Sequence, residues 1–333
     1  MCRVKIIYRS SYSSFHSDLY LVHISKLRTH DRFKAMKALV YNGPGKIAVE
    51  DRPQPKVEQP SDAVVKLTRT TICGTDLHII KGDVPTVPNG RVLGHEGVGV
   101  VDSVGPDVKN FKKGDRVLIA CITSCATCTF CRKSMLEMCK NGGWKLGHLI
   151  DGTQAEYVRI PFADNCLYNV PKGADERSLL VLSDILPTGL EVGVLRGGVK
   201  PGCTVAIVGA GPVGLAALCT AQLYSPRKLV MFDRDESRLE VSRKMGATHT
   251  INPSAGQGVK ELAKEHFGEI DGFDVVIEAV GVPATFEMCQ ELVGAGGTIA
   301  NIGVHGSKVD LHMEKLWARC ISKWACCRVR CKL

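Results

Sequence analysis

The sequence predicts a two-domain α/β protein in which a partly open β-barrel is followed by a doubly wound parallel sheet. The chain of 333 residues is long enough for two cores, since single domains typically contain about 100–200 residues. From Met36 to about Leu186 the sequence reads as short strands and long loops punctuated by Gly and Pro. After Leu186 strands and helices alternate, which is typical of a parallel sheet with helices on its faces.

In the first half, short apolar or alternating runs predict strands that are separated by turn residues. The predicted strands cover residues 37–41, 48–51, 63–68, 97–104, 116–120 and 156–160. Many short strands joined by long loops favour a barrel that does not close completely.

In the second half, strand-length apolar runs alternate with stretches of helical period. The predicted strands cover residues 204–208, 228–232, 274–278 and 297–302, and the predicted helices cover 212–222, 236–245 and 284–292. Parallel neighbouring strands need such helical connections, so this half predicts the doubly wound sheet.

The formal net charge of +9 belongs to the two ends of the chain. Residues 1–35 and residues 317–333 each carry a net charge of +5, which leaves −1 for the body between them. Binding of nucleic acid or a membrane surface usually clusters positive charge on a folded face, so we predict neither partner. No run approaches the roughly 18 consecutive apolar residues of a membrane span. We therefore expect a soluble, cytoplasmic protein.

Four of the 15 cysteines lie in one loop with the spacing C-x2-C-x2-C-x7-C. They are Cys125, Cys128, Cys131 and Cys139. Two-residue spacings let successive sulfurs turn toward one ion, and four thiolates satisfy a closed tetrahedral zinc site. The loop predicts a structural zinc, with an iron–sulfur cluster as the alternative because four cysteines alone do not identify the metal. Clustered thiols in a large chain without a clear secretory signal indicate a reducing compartment.

A second candidate metal site lies in residues 70–101. This stretch carries Cys73, His78, His95 and Glu96, which we expect in loops between strand-like runs. Thiolate, imidazole and carboxylate are ligands that zinc accepts, so the stretch predicts a catalytic zinc site. Taken singly, Cys73 could equally be a small core residue and His95 an ordinary loop histidine. Spacing alone does not add the distant Asp184 to this group.

A Gly-rich turn between an apolar strand and a helix predicts a dinucleotide site. Its residues are Gly209, Gly211, Val213 and Gly214. The glycines permit a tight turn, a close approach of pyrophosphate to the backbone, and packing of the helix on the strand. Asp233 ends the next strand, where a carboxylate accepts the ribose 2′-hydroxyl and repels a 2′-phosphate. This favours NAD over NADP, although Arg234 could accommodate a phosphate. Arg238 either reaches the adenosine end or is a solvated helix residue.

Four features occur in an order that resembles the zinc-dependent alcohol dehydrogenases of the medium-chain dehydrogenase/reductase superfamily. They are I-C-G-T-D-L-H, G-H-E-G-V-G, the four-cysteine loop and the Gly-rich turn, within a region from about Met36 to Lys315. The resemblance implies a GroES-like catalytic domain with the structural zinc loop over residues 36–186. It also implies a Rossmann NAD-binding domain over residues 187–316.

The same resemblance implies the reaction, which is hydride transfer from a primary or secondary alcohol to NAD with formation of an aldehyde or ketone. Within the class, a polyol, threonine or formaldehyde dehydrogenase is an alternative. Outside it, the alternative is an inactive zinc-binding remnant of the family.

The resemblance also implies ligands for the catalytic zinc. The cysteine of C-G-T-D and the histidine of G-H-E bind this ion in the family, which implies the role for Cys73 and His95. Glu96 is implied as a near or exchangeable ligand. Asp184, four residues before Thr188, matches the aspartate that some members use as the remaining ligand.

Three further residues match the groups that surround the zinc in the family. Thr75 and His78 match the hydroxyl and imidazole of the proton relay. Asp76 matches the carboxylate that orients the zinc-bound histidine, so the resemblance implies that it fixes the tautomer of His95.

The two ends depart from the family pattern. We expect residues 1–35 to be an unstructured extension, with a mitochondrial transit peptide as the alternative. Residues 317–333 are a basic, cysteine-rich tail in place of the family's continuation, so we expect a truncated chain that lacks the last strand of its parallel sheet. A homo-oligomer is expected from the family but doubtful with this tail. The tail cysteines, for which a third zinc site is the alternative, are expected to be free thiols; they are Cys320, Cys326, Cys327 and Cys331.

Overall fold

A computed structural model of the chain describes residues 34–253, 258, 261, 263–264, 271–319, 321 and 323–326. The N-terminal extension lies outside the described residues except for its last two positions. Cys320, Cys327, Cys331 and the side chain of Cys326 also lie outside them, and with them the alternative of a third zinc site.

The first half of the chain folds into two antiparallel sheets. The smaller has the strand order β2-β1-β4, and the larger has the order β7-β3-β5-β6-β8. In β1 residues 36, 38 and 40 are buried and alternate with more exposed ones, as one buried sheet face requires. The strands are β1 (Ala35–Tyr41), β2 (Ile47–Pro53), β3 (Ala63–Thr70), β4 (Arg91–Val92), β5 (Gly97–Val104), β6 (Arg116–Ile119), β7 (Tyr157–Ile160) and β8 (Leu167–Asn169).

Short helices lie in the connections between these strands and after β8. They are α1 (Gly74–Lys81), a 3₁₀ turn (Leu136–Met138), and α2 (Thr129–Arg132), α3 (Ala163–Cys166), α4 (Glu176–Leu180) and α5 (Ile185–Thr188). The expectation that His78 lies in a loop is wrong, because this residue is in α1. The helix begins after Cys73, whose backbone N–H donates to Asp76 Oδ2 at 2.9 Å, and ends at Gly82, whose φ of 92° favours glycine.

The chain passes from the first half to the second through α5 and a π-helical segment (Gly189–Arg196). A Cβ atom at Gly189 would lie 2.6 Å from the backbone nitrogen of Ala217, so only glycine permits this close approach of two helices. The boundary predicted between residues 186 and 187 falls inside α5, and the domain bounds stay predictions.

The second half contains a six-stranded sheet with the order β11-β10-β9-β12-β13-β14, in which every pairing is parallel. The chain moves outward from β9 in one direction and then returns to β12 and moves outward in the other. Ligands bind in such sheets at the switch point beyond the carboxyl ends of the central strands, here β9 and β12. The strands are β9 (Thr204–Val208), β10 (Lys228–Phe232), β11 (His249–Ile251), β12 (Phe273–Glu278), β13 (Val293–Asn301) and β14 (Lys323–Cys326).

Helices cover both faces of this sheet. One core contains Ile207, Met231 and Ile277, and the other contains Phe232 and Val276, so neighbouring strand positions point to opposite buried faces. The helices are α6 (Pro212–Ala221), α7 (Glu236–Lys244), α8 (Pro283–Leu292) and α9 (Met313–Leu316), with 3₁₀ turns at Gln222–Tyr224 and Trp317–Arg319. The predicted combination of an antiparallel domain and a doubly wound sheet is confirmed.

The expected absence of the last strand is wrong. Residues 323–326 form β14, which pairs in parallel with β13 from Thr298 to Asn301. The charge and cysteine content of the tail are atypical of a strand, but a four-residue edge strand needs only backbone groups to pair. In the part of the chain that the structure describes, the helices lack the length and apolar character of a membrane-spanning segment.

Candidate metal centres and cofactor site

The structure brings the four cysteines of the 125–139 loop together. Their sulfur atoms all lie within 4.8 Å of one another. The sulfur of Cys139 is 3.5 Å from that of Cys125 and 3.9 Å from that of Cys128. Four sulfurs bound to one zinc at about 2.3 Å would be roughly 3.8 Å apart. The observed spacing therefore fits a closed tetrahedral site.

Hydrogen bonds and crowding act in opposite directions on these thiols. Burial raises the pKa of Cys125, but hydrogen bonds from Thr127 and Asn141 outweigh it and lower the pKa to about 5. Burial and the neighbouring sulfurs raise the pKa of Cys131 to about 12. Four thiolates at this distance repel one another unless a cation lies between them, so the donor set fits a metal.

The second cluster joins residues that lie far apart in the sequence. Ligand atoms of Cys73, His95, Glu96 and Asp184 lie within 4.8 Å of one another. Asp184 Oδ2 is 3.2 Å from His95 Nε2 and 3.8 Å from Cys73 Sγ. His95 Nε2 is 3.8 Å from Glu96 Oε1. The structure therefore brings all four predicted ligands to one point, and their function as ligands is taken up below as a proposal.

Each residue of this cluster is held at the end of a regular element. Cys73 precedes α1, His95 and Glu96 precede β5, and Asp184 precedes α5. Ser183 fixes Asp184 relative to the sheet, because its fully buried hydroxyl accepts the Gly97 N–H and donates to the Ile119 carbonyl. The rigid strands, rather than the loops, thus define the distances within the cluster.

The cluster has the charge pattern of a cation site. Burial favours neutral His95, but hydrogen bonds and charge from Asp184 and Cys73 raise its pKa well above the usual value. Burial and the charge of Asp184 raise the pKa of Glu96, so the carboxylates repel one another. Glu96 Oε1 is buried without a hydrogen-bond partner. A positive ion among these groups would satisfy both the excess of negative charge and the unpaired oxygen, so the residues fit a metal.

Several residues around the cluster were not found by sequence reasoning. Thr188 donates to Asp184 Oδ1 at 2.8 Å, and Cys121 Sγ lies 3.3 Å from the same oxygen. Thr71 donates to Glu96 Oε2 at 2.7 Å. The spacing of Asp184 and Thr188, one helical turn apart, is a signal for their contact. The contacts of Cys121 and Thr71 join residues that are far apart in the sequence, and no spacing indicates them.

Asp76 contacts a different residue from the one expected. Its Oδ2 accepts the Cys73 N–H and, at 2.8 Å, the side-chain amide of Gln154. Asp76 Oδ1 is buried without a hydrogen-bond partner. Burial raises the pKa of the Asp76 carboxyl, and the charge of His95 lowers it. Asp76 therefore fixes the backbone of Cys73. It acts on His95 through charge. The role of Asp76 in the tautomer of His95 stays a prediction.

Thr75 and His78 lie on α1, one turn apart. Thr75 Oγ1 is 3.7 Å from Cys73 Sγ, which places the hydroxyl at the edge of the cluster. His78 Nδ1 is 2.8 Å from Asp83 Oδ2, and its side chain is 19 % exposed. The described contacts contain no direct hydrogen bond between Thr75 and His78, so a proton moving between them needs an intervening hydroxyl or water.

The Gly-rich turn lies at the switch point of the parallel sheet. Gly209 follows β9 with a φ of 106°, and Gly211 is the N-cap of α6. A Cβ atom at Gly211 would meet nothing within 4 Å, whereas one at Gly214 would lie 1.8 Å from the Gly209 carbonyl oxygen. Gly211 thus leaves room outside the turn, and Gly214 allows the helix to pack on the strand, as a pyrophosphate site requires.

Asp233 lies beside this turn and is hydrogen-bonded to it. Its Oδ2 accepts the Ala210 N–H at 2.7 Å, and its Oδ1 accepts the Asp235 N–H at 2.8 Å. Each oxygen retains a second acceptor position for a sugar hydroxyl. Arg238 is solvated, with its Nε 3.8 Å from Asp235 Oδ2 and its side chain 56 % exposed. Val213, also predicted to bind the cofactor, is the second residue of α6.

The fold and these sites together define a class of protein. A doubly wound sheet with a Gly-rich dinucleotide turn is joined to an antiparallel domain that carries two groups of zinc-type ligands. This combination is that of a nucleotide-dependent oxidoreductase with zinc sites.

Comparisons with known proteins identify the family within this class. The model of the alcohol dehydrogenase GroES-like domain matches residues 59–172, and the zinc-binding dehydrogenase model matches residues 212–328. Zinc-type alcohol dehydrogenase B of Aspergillus flavus is 38 % identical over 292 residues, which cover 86 % of this chain and 67 % of that protein.

Solved structures agree with this assignment. Zinc dependent alcohol dehydrogenase 2 from Streptococcus pneumonia, in its apo form, has a TM-score of 0.81 and 52 % identity, covering 86 % of this chain and 81 % of its own. A zinc-binding dehydrogenase from Sinorhizobium meliloti bound to NADP has a TM-score of 0.76 and 31 % identity, covering 87 % and 84 %. The chain belongs to the zinc-dependent alcohol dehydrogenases of the medium-chain dehydrogenase/reductase superfamily, as its motifs predicted.

Proposed function

We propose that the protein is an NAD-dependent zinc enzyme that interconverts a primary or secondary alcohol and its aldehyde or ketone. The observation that carries this proposal is the convergence of Cys73, His95, Glu96 and Asp184 beside the segment that packs on α6, the helix that follows the Gly-rich turn. The connection is short: Asp184 immediately precedes α5, and α5 leads to Gly189, which lies against Ala217 of α6.

In this proposal Cys73, His95 and Asp184 hold the catalytic zinc, and Glu96 is a near or exchangeable ligand. The four-cysteine loop holds a structural zinc and keeps no position open for substrate. Zinc at the first site would supply Lewis acidity, which makes an alcohol hydroxyl acidic near neutral pH, and NAD would supply the hydride acceptor.

The protein groups then bind the substrate and move its proton. Thr75 accepts the hydrogen bond of the substrate hydroxyl from its place beside Cys73. The proton passes through an intervening hydroxyl to His78, and from there to solvent. Asp76 keeps Cys73 in place by accepting its backbone N–H.

The second domain supplies the cofactor site. We propose that the turn at Gly209, Gly211 and Gly214 binds the pyrophosphate and that Asp233 accepts the adenosine ribose hydroxyls. Asp233 is held by two backbone N–H groups with its free acceptor positions available, which supports NAD. A homo-oligomer stays an expectation from the family.

The purified full-length chain tests this function in one series of measurements. We expect stoichiometric zinc and formation of NADH that depends on an added alcohol, with little reaction when NADP replaces NAD. The substrates to compare are primary alcohols, secondary alcohols, polyols, L-threonine, and formaldehyde with a thiol. Bound zinc without binding of NADH would contradict the proposal and support the inactive remnant.

A further inference from the structure

The turn that ends α1 brings Asp83 next to His78. Gly82 has a left-handed φ of 92°, and the next N–H, that of Asp83, donates to the His78 carbonyl at 3.0 Å. This backbone turn places the Asp83 side chain beside the imidazole, with Oδ2 2.8 Å from Nδ1. The contact is therefore fixed by the helix end and not by two flexible surface side chains meeting by chance.

The contact determines which ring nitrogen of His78 carries hydrogen. A carboxylate oxygen only accepts hydrogen bonds, so Nδ1 must be the donor at this distance. In the neutral ring Nε2 then carries the lone pair and is the atom that can receive a proton. Asp83 thus selects the tautomer of His78 in which the nitrogen opposite the carboxylate is basic.

A loop of the cofactor domain closes over Asp83. A Cβ atom at Gly306 would lie 2.7 Å from Asp83 Cγ and 2.9 Å from each carboxylate oxygen, so a larger residue would displace the carboxylate. The neighbouring His305 anchors this loop, because its Nε2 contacts Asn301 Oδ1 at 2.8 Å and lies 3.5 Å from Oε2 of the fully buried Glu278. The loop leaves Asp83 little freedom to turn away from His78.

We propose that Asp83 is a positioning residue for the proton relay, which holds His78 in the Nδ1–H tautomer under the Gly306 loop of the cofactor domain. The inference deepens the proposed function and rests on the relay of Thr75 and His78.

The proton balance of this step is simple. A proton from the substrate hydroxyl arrives at His78 Nε2, where a new N–H bond forms, and the Nδ1 proton leaves toward Asp83 and solvent. The carboxylate is 30 % exposed, so solvent can take up this proton. No electrons move between the groups. The ring returns to its starting tautomer when Nε2 gives its proton to water and Nδ1 regains one from solvent beside Asp83.

A double-mutant cycle separates this role from general support of the fold. The variants are Asp83→Ala, His78→Ala and the double variant with both substitutions. Asp107→Asn is the control, because Asp107 is exposed. We expect Asp83→Ala to lower kcat by about tenfold with little change in KM for the alcohol, as loss of an orienting carboxylate does. The same substitution should have no further effect in the His78→Ala background. An equal loss in both backgrounds would overturn the proposal.

A spectroscopic measurement does not depend on activity. In the zinc-loaded chain labelled with ¹⁵N-histidine, the His78 signals are assigned by their loss in His78→Ala. We expect the Nδ1–H tautomer in the wild type, and a mixture with the Nε2–H tautomer in Asp83→Ala and in Gly306→Ala. A wild-type His78 ring in the Nε2–H form would contradict the proposal. An inactive wild type with the expected tautomer shift would instead refute the proposed function alone.

If Asp83→Ala does not fold, Asp83→Asn retains an acceptor oxygen of the same shape. We expect it to preserve the tautomer but to lower kcat, since the neutral amide does not stabilise the charged ring. Wild-type kcat in this variant would contradict the role of the carboxylate.

Discussion

Asp233 supports the Gly-rich turn with the same carboxylate that we propose to bind the cofactor ribose. Its carboxylate accepts two backbone N–H groups, one from Ala210 in the Gly-rich turn and one from Asp235 at the start of α7. A group held in this way loses little freedom when a ribose binds, which favours affinity.

Substitution of Asp233 by Asn should weaken NADH binding about tenfold or more, because a hydrogen bond to a charged group contributes roughly 1.5–3 kcal/mol. Binding of NADPH should weaken less, since the charge that repels the 2′-phosphate is removed. Fluorescence titration with both cofactors measures the change. Arg238→Ala is the control and should leave both affinities nearly unchanged; a larger effect for Arg238 than for Asp233 would contradict the assignment.

The sequence predicted some of these residues directly and others only through the family resemblance. The four cysteines and the Gly-rich turn are local in sequence, so their spacing alone indicates their chemistry. Asp184 is 111 positions from Cys73, and no periodicity links residues that meet only after folding. Asp83 was overlooked because α1 was not predicted.

Among the elements, α6 depends on glycines that act in two different ways. A side chain at Gly214 would collide with the Gly209 carbonyl, whereas one at Gly211 would point into open space. Gly214 therefore allows the helix to pack on the strand, and Gly211 leaves open the space in which we propose that the pyrophosphate binds.

This difference gives a paired prediction. Gly214→Ala should lower the thermal unfolding midpoint and weaken NADH binding, because α6 must move away from β9. Gly211→Ala should keep the midpoint close to that of the wild type but weaken NADH binding. Calorimetry and cofactor titration measure both quantities, and the assignment is wrong if Gly211→Ala is the less stable variant.

The four-cysteine loop gives a second prediction for an element. Cys128→Ser removes one thiolate from a closed site, and structural zinc contributes directly to folding free energy. We expect loss of one zinc per chain and a thermal midpoint lower by several degrees. Cys219→Ser is the matched control because Cys219 is exposed. An unchanged zinc content in Cys128→Ser would show that the loop does not bind the metal.

The strands were predicted more accurately than the short helices. β5, β9 and β10 agree with their predicted ranges, since uniform apolar runs or regular alternation end at turn residues. β13 begins at Val293 instead of 297, because its Gly-rich start resembles a turn. α1 was missed because an eight-residue helix depends on its caps and tertiary contacts more than on periodicity.

Across the whole molecule, the two halves meet beside the candidate catalytic zinc site. Asp184 starts the segment that crosses to α6, and Gly306 of the second half lies against Asp83 of the first. Contacts of this kind join residues from different domains, and pattern reading within one domain does not predict them. The overall architecture was predictable because each half has its own regular period.

The most direct test of zinc-dependent alcohol oxidation is metal content and turnover of Cys73→Ser, measured on the same samples beside Cys219→Ser. We expect the Cys73 variant to lose alcohol-dependent NADH formation and one zinc, while the metal of the Cys125–Cys139 loop and NADH binding remain. The Cys219 variant should match the wild type. Turnover that persists in Cys73→Ser, or zinc content that does not change, would contradict the account.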